Sequence, residues 1–135
     1  MPLLPRKGIL AITAVIEIAA HAIRGPLSAR ALAARYGLPL RHFEPVLQEL
    51  VRQGILKSVR GPGGGYALAR ERRRISAVDI LHAAGNTEEE IRLVRSRLLD
   101  EIVLPALDQA EQAFSAALAG IDLEELIVAA ERAHI

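Results

Sequence analysis

The strongest hydrophobic pattern in the chain lies between residues 40 and 52. Apolar residues recur there at spacings of three and four, the period at which side chains line one face of an α-helix. The pattern predicts an amphipathic helix whose buried face carries Phe43, Val46, Leu47, Leu50 and Val51. Because proline is tolerated best near a helix start, Pro45 predicts that the regular part of this helix begins later than the apolar pattern suggests.

A shorter helix is predicted just before it, from residue 28 to residue 37. Ser28 follows a Gly-Pro pair and can cap this helix by accepting a hydrogen bond from a backbone N–H. Ala33 lies four residues before Gly37 and leaves room for a second helix to cross closely. Gly37 tolerates the positive φ that ends a helix. This spacing is typical of a helix-turn-helix.

Two short segments with strand-like patterns follow the second helix. Gly54 ends that helix, and residues 55–60 and 66–68 are predicted strands joined by the Gly-rich loop 61–65. A nucleotide-binding P-loop is not expected, because Tyr66 follows the loop where that motif needs Lys and no helix comes next. A helix-turn-helix followed by a hairpin predicts a winged helix-turn-helix domain.

Helical patterns lie on both sides of this region. Residues 8–23 are predicted to form a buried first helix, and Ser76 can cap a helix that runs to residue 84. Thr87 begins a capping-box pattern, so a long helix should start there and be kinked or broken near Pro105. Its small and apolar residues at alternating spacings of four and three predict a seam against a partner helix: Leu99, Val103, Ala106, Ala110, Ala113 and Ala117.

These patterns predict a mainly α fold with a small β-hairpin. We expect residues 1–85 to form the winged helix-turn-helix domain and residues 86–135 to form a helical dimerisation region with a long helix. The seam could instead pack within one subunit, but a two-fold DNA reader needs such a dimer. With 51% apolar and 3% aromatic residues, the core should be aliphatic, and stacking on single-stranded nucleic acid is disfavoured.

Charge is distributed unevenly along the chain. Residues 1–83 carry 13 Lys or Arg against 5 Asp or Glu, a net charge of +8, whereas residues 84–135 carry 4 against 11, a net charge of −7. The basic half therefore coincides with the predicted helix-turn-helix and hairpin. This asymmetry favours a polyanionic partner although the whole chain has a net charge of only +1.

Several other chemistries are disfavoured. The chain has no cysteine, its Ser residues have structural explanations, and no nucleophile and base are paired, so we expect no enzyme and no cofactor. The histidines lack metal-ligand spacing, so we expect no metal site: His21, His42, His82 and His134. The apolar run 8–23 falls short of the roughly 20 residues that span a bilayer, which favours a cytoplasmic protein without a membrane partner.

The sequence GILKSVRGPGGGY at residues 54–66, followed by ISAVDI at residues 75–80, closely resembles the BadM/Rrf family of bacterial winged-helix repressors. The resemblance is strong over residues 7–85, returns at residues 120–126 and is general between them. It implies a homodimer that binds a pseudo-palindromic operator. The second helix would lie in the major groove, and the hairpin tip, or wing, would lie in the adjacent minor groove.

The resemblance also implies residue roles. Glu44 matches a base-reading acidic residue, Arg60 matches the wing arginine that enters the minor groove, and Tyr66 matches the wing aromatic. Many members hold an iron-sulfur cluster on three cysteines, and this chain has none. Cluster sensing of that type is therefore not expected, and a small-molecule or protein effector is left open.

We therefore predict a sequence-specific DNA-binding transcriptional regulator and expect it to be a repressor that binds double-stranded DNA as a homodimer. The alternative is a winged-helix protein-interaction module that regulates a partner protein, because fold alone does not fix function. Base discrimination is expected from Arg41, His42, Glu44 and Gln48. The full set of predicted DNA-binding residues is Ser28, Arg30, Arg41, His42, Glu44, Gln48, Lys57, Arg60, Gly61, Gly63 and Tyr66.

Overall fold

The computed structural model describes residues 6–84 and 96–135. Within these ranges the chain is mainly helical with one two-stranded hairpin, which confirms the predicted fold class. The elements in chain order are α1 (Arg6–Ala20), α2 (Ala29–Tyr36), α3 (Leu40–Arg52), β1 (Leu56–Val59), β2 (Gly65–Leu68), α4 (Ala77–Ala84), α5 (Leu104–Ala119) and α6 (Leu123–Arg132). The predicted helix start at Thr87 lies outside the described residues.

The turn between α2 and α3 has the predicted helix-turn-helix geometry. The Ser28 hydroxyl oxygen accepts a hydrogen bond from the Ala31 N–H at 3.1 Å, which caps α2. Gly37 ends α2 with a φ of 60°, in the left-handed region that glycine adopts without steric cost. Ala33 is buried, and α2 packs against α3. The cap and the terminating glycine are confirmed.

The prediction that Pro45 delays the regular part of the second helix was wrong. Helix α3 begins at Leu40, so Pro45 lies inside it without an N–H to donate to the Arg41 carbonyl. An interior proline costs about 3 kcal/mol. Burial of one large apolar side chain contributes about 1.5–3 kcal/mol, and α3 buries four of them, so packing outweighs the proline: Phe43, Val46, Leu47 and Leu50.

Leu27 forms a short third segment beside the hairpin. Strands β1 and β2 are antiparallel, with Leu56 opposite Leu68, and β2 also pairs with Leu27 on its other side. The Tyr66 N–H donates to the Leu27 carbonyl at 2.8 Å, and the Leu27 N–H donates to the Tyr66 carbonyl at 3.0 Å. A Cβ on Gly65 would lie 2.5 Å from the Leu27 carbonyl oxygen, so only glycine fits there. The wing is thereby fixed to the start of α2.

Helix α6 returns to the core formed by the earlier helices. Leu123 and Ile127 are buried in the same hydrophobic cluster as the apolar faces of α1, α3 and α4. The Leu123 N–H donates to the Ile75 carbonyl at 3.0 Å, and the Arg72 guanidinium lies 2.6 Å from the Glu124 carboxylate. The C-terminal helix is therefore held by apolar, backbone and ionic contacts.

An irregular helical turn precedes α5. Residues Leu99–Val103 form a π-helical turn, and Pro105 follows in the first turn of α5, where a missing N–H costs least. The sequence predicted a kink or break near this proline, and the structure has a π turn there that continues directly into α5. No residue of α5 is buried, and none of the helices described is long and apolar enough to cross a membrane.

Candidate nucleic-acid interface

The exposed face of α3 carries a straight row of side chains. Arg41, Pro45, Gln48 and Arg52 follow one another at spacings of four, three and four, and all are exposed on the side opposite the core. Arg52 Nη1 lies 2.8 Å from a carboxylate oxygen of Glu49, and this ion pair neutralises the charge of Arg52. Arg41 and Gln48 therefore present the hydrogen-bonding groups of this row, and Pro45 adds an apolar surface that the sequence pattern did not suggest.

Glu44 and His42 lie on opposite flanks of that row, as a helix of about 3.6 residues per turn requires. Burial raises the pKa of Tyr66, and the negative charge of Glu44 raises it further. The charge of Glu44 therefore reaches the wing. His42 is on the flank that faces the start of α1, where it lines a depression with Lys7.

The two faces of the hairpin carry different predicted residues. Tyr66 is half-buried and shares its face with Leu56, which is buried, because alternate residues of a strand point to the same side. Lys57 points to the other, solvent-exposed side. Tyr66 therefore packs against the core, and Lys57 is exposed to solvent.

The wing tip is a tight, exposed turn. Arg60, Gly61 and Gly63 are exposed, with φ of 96° at Gly61 and 73° at Gly63. The Gly64 N–H donates to the Gly61 carbonyl at 2.9 Å, which closes the turn. Arg60 therefore extends from the end of an ordered hairpin rather than from a long loop.

The start of α2 adjoins the wing. A Cβ on Gly65 would lie 2.7 Å from the Ser28 nitrogen, so the two backbones are in direct contact. The Ser28 hydroxyl accepts the capping hydrogen bond and keeps its own hydrogen for another acceptor. Arg30 is exposed in the first turn of the same helix.

Glu17 attaches the helix-turn-helix to α1, a role that the sequence analysis missed. Its carboxylate forms an ion pair with Arg35 and accepts a hydrogen bond from the Tyr36 hydroxyl at 3.0 Å. Burial raises the pKa of Tyr36, and the hydrogen bond and charge of Glu17 raise it further. The signal was a lone acidic residue in the apolar run 8–23.

Some cations of the described ranges are paired with a carboxylate and others are not. Five arginines are within ion-pair distance of a carboxylate: Arg35, Arg52, Arg70, Arg72 and Arg97. In residues 6–84 and 96–135, the basic residues predicted to bind DNA form no such pair: Arg30, Arg41, Lys57 and Arg60. Their charges remain available to an external anion.

The predicted dimerisation seam lies on the exposed surface of α5 and the preceding π turn. Leu99 is in the π turn, and the other seam residues are exposed: Val103, Ala106, Ala110, Ala113 and Ala117. Large apolar side chains near the seam are also exposed, with 67% of Leu98, 63% of Ile102 and 59% of Leu107 accessible. Exposed apolar side chains grouped along one segment are typical of an interaction site.

Comparison with known proteins identifies relatives over almost the whole chain. Residues 4–129 match the Rrf2 family model, described as an iron-dependent transcriptional regulator. The HTH-type transcriptional regulator BadM of Rhodopseudomonas palustris is 36% identical over 121 residues, covering 79% of this chain and 77% of that protein. The regulator IscR of Xenorhabdus nematophila is 35% identical over 89 residues, covering 66% of this chain and 54% of IscR.

A solved structure also resembles this chain over almost its whole length. The structure of IscR from T. potens superposes with a TM-score of 0.78 and 30% identity, covering 98% of this chain and 90% of that one. The chain spans about half the length of the first curated relatives that it matches, at 54% of each.

The part of the chain that the structure describes holds no evident site for the iron in the family description. The chain has no cysteine to supply a thiolate. Across residues 6–84 and 96–135, no three His, Asp or Glu side chains come together as metal ligands.

Proposed function

The chain belongs to the Rrf2 family of transcriptional regulators, and from this premise we propose that it is a DNA-binding repressor that recognises a pseudo-palindromic operator as a homodimer. The named relatives are regulators and not enzymes. The observation that carries the proposal is the surface formed by α3 and the wing. Its candidate cations have no carboxylate partner in the described ranges, and its polar groups stand on one exposed helix face.

Helix α3 lies in the major groove in this proposal. Arg41 and Gln48, near the centre of the exposed row, donate to base edges, as arginine does to guanine and glutamine to adenine. Glu44, whose charge reaches the wing, accepts from the amino group of cytosine. Pro45 offers an apolar contact to a thymine methyl group.

The wing and the start of α2 hold the duplex backbone on one side of α3. Arg60 enters the minor groove, where a narrow A·T-rich tract concentrates negative potential. Ser28, Arg30 and Lys57 contact phosphates, which fix the position of the protein without reading sequence. The backbone contact between Gly65 and Ser28 supports this arrangement because it holds the wing against α2.

The homodimer forms through the seam and its apolar neighbours on α5. Two copies that pair along this surface would bury Ile102 and Leu107, which water otherwise contacts. The alanines of the seam allow two helices to approach closely. A two-fold dimer places two copies of α3 on successive major grooves, which is why a pseudo-palindrome is expected.

Selection of duplexes from a random pool tests the proposal. The purified protein should enrich one pseudo-palindrome, and its affinity for that duplex should exceed its affinity for a scrambled duplex by at least about a thousandfold. Binding should weaken steeply with salt because neutralised phosphates release counterions. Salt-sensitive binding without preference would contradict operator recognition. Absence of binding, with capture of another protein at physiological salt, would favour the interaction module instead.

A further inference from the structure

A depression lies beside α3 on its His42 flank. It measures about 320 Å³ and is formed by the first two turns of α1 and α3: Arg6, Lys7, Leu10, His42, Pro45 and Val46. Leu10 and Val46 pack into or against the core and form an apolar floor. The nitrogen-bearing side chains stand around it. None of the lining residues is acidic.

The cations of this depression are not neutralised by the protein. Neither Arg6 nor Lys7 forms an ion pair with a carboxylate in the described ranges, in contrast to the five arginines that do. Arg6 is exposed, and Lys7 is half-buried, so the Lys7 stem is partly covered while its ammonium can reach solvent. A positive rim above an apolar floor is complementary to a sugar–phosphate backbone, whose charge and carbon surface alternate.

We propose that this depression is a second DNA-backbone site in which Arg6, Lys7 and His42 bind phosphate and Leu10 contacts deoxyribose. The site deepens the proposed function and rests on it. The depression holds the duplex on the His42 flank of α3, in addition to the contacts made by the wing and the start of α2. Because the protein then contacts the DNA backbone at two places, α3 cannot rotate about its axis in the major groove. The exposed row of α3 therefore keeps facing the base edges.

The salt dependence of DNA binding tests this site. The probes are the duplex selected by the wild-type protein and a scrambled duplex of equal length. The Arg6→Gln/Lys7→Gln variant should lower the slope of log affinity against log salt by roughly 2, since each phosphate contact contributes about 0.9. Affinity at about 0.1 M salt should fall on the order of 10- to 100-fold for both duplexes, because phosphate contacts carry no sequence information.

Control variants separate a local contact from general electrostatics. Arg6→Lys/Lys7→Arg keeps both charges and should keep the slope, and Arg132→Gln, at the end of α6, should change it little. Arg6→Gln alone removes an exposed side chain, should fold normally, and should lower the slope by about 1. An unchanged slope in the Arg6 variants overturns the second site while wild-type operator binding stands. Failure of the wild type to bind any duplex overturns the proposed function itself.

Discussion

The exposed carboxylate of Glu44 affects the ionisation of Tyr66 on the wing. It contributes to the raised pKa of Tyr66, after burial, and it is exposed on α3. The charge of a residue on the recognition helix therefore acts on a residue of the wing. A ligand that neutralises Glu44 would also lower the pKa of Tyr66.

Titration of the tyrosines tests this electrostatic effect of Glu44 on Tyr66. The chain has two tyrosines, so in the Tyr36→Phe protein the tyrosinate absorbance reports Tyr66 alone. Replacing Glu44 by Gln in that background should lower the pKa of Tyr66, because a negative charge that opposes ionisation is lost. Glu49→Gln is the matched control, since Glu49 lies on the same helix and pairs with Arg52. Equal titration curves for the two variants would show that the charge of Glu44 does not reach Tyr66.

Tyr36 links stability to alkaline pH. Burial and Glu17 raise its pKa above the ordinary value of 10.0 and outweigh the opposing charge of Arg35. The folded state therefore favours the neutral phenol, and this stabilisation is complete below a pH of about 10 and is lost as pH rises through the folded-state pKa. We expect the free energy of unfolding to fall over that range, and to fall less in Tyr36→Phe, as measured by urea denaturation. An equal fall in both proteins would refute the linkage.

Arg60 is the residue whose removal should change sequence preference through the minor groove. Arg60→Ala should weaken operator binding by about 1–3 kcal/mol, or roughly 5- to 150-fold, and relax the preference for A·T pairs beside each half-site. Lys57→Ala is the matched control, because a phosphate contact should weaken all duplexes alike. If Arg60→Ala leaves both affinity and preference unchanged, the wing model loses its main support.

At the scale of elements, the attachment of the wing depends on the absence of one side chain. Gly65→Ala would place a Cβ 2.5 Å from the Leu27 carbonyl and should destabilise the protein by about 1–3 kcal/mol, lowering the melting temperature. Gly120→Ala is the control, since its Cβ would meet its nearest atom, the Ala117 carbonyl oxygen, at 3.4 Å. Similar melting temperatures for the two variants would argue against a fixed wing.

The elements were predictable where local chemistry decides them. The cap at Ser28, the glycine at residue 37 and the apolar period of α3 depend on neighbouring residues, and all three are confirmed. Two contacts join distant parts of the chain: Leu27 pairs with Tyr66, and Glu17 forms an ion pair with Arg35. The pattern of neighbouring residues could not predict either contact. The expectation from Pro45 was wrong because burial of the apolar face of α3 outweighs the local cost of a proline inside the helix.

At the scale of the whole molecule, dimerisation is the property that the exposed surface of α5 should control. Ala110→Glu places a charge in the seam and should weaken self-association at least about a hundredfold, because an unpaired buried charge costs several kcal/mol. Sedimentation should then show a monomer, and operator affinity should fall because the half-sites are no longer joined. Gln112→Glu adds the same charge beside Asp108 and Glu111, on the polar side of α5, and should leave the dimer intact. Two monomeric variants, or two dimeric ones, would rule out the seam.

The return of α6 to the core affects what a protease could do to this protein. Helix α4 and helix α6 contribute Ile80, Leu123 and Ile127 to one hydrophobic cluster, although residues 85–122 separate the two helices in sequence. A single cleavage anywhere in residues 85–95 would divide the chain into two peptides that still share their interior. The covalent chain would be broken, yet the two fragments should co-elute and separate only in denaturant. The fold would therefore be held by its shared core and not by the continuity of the chain.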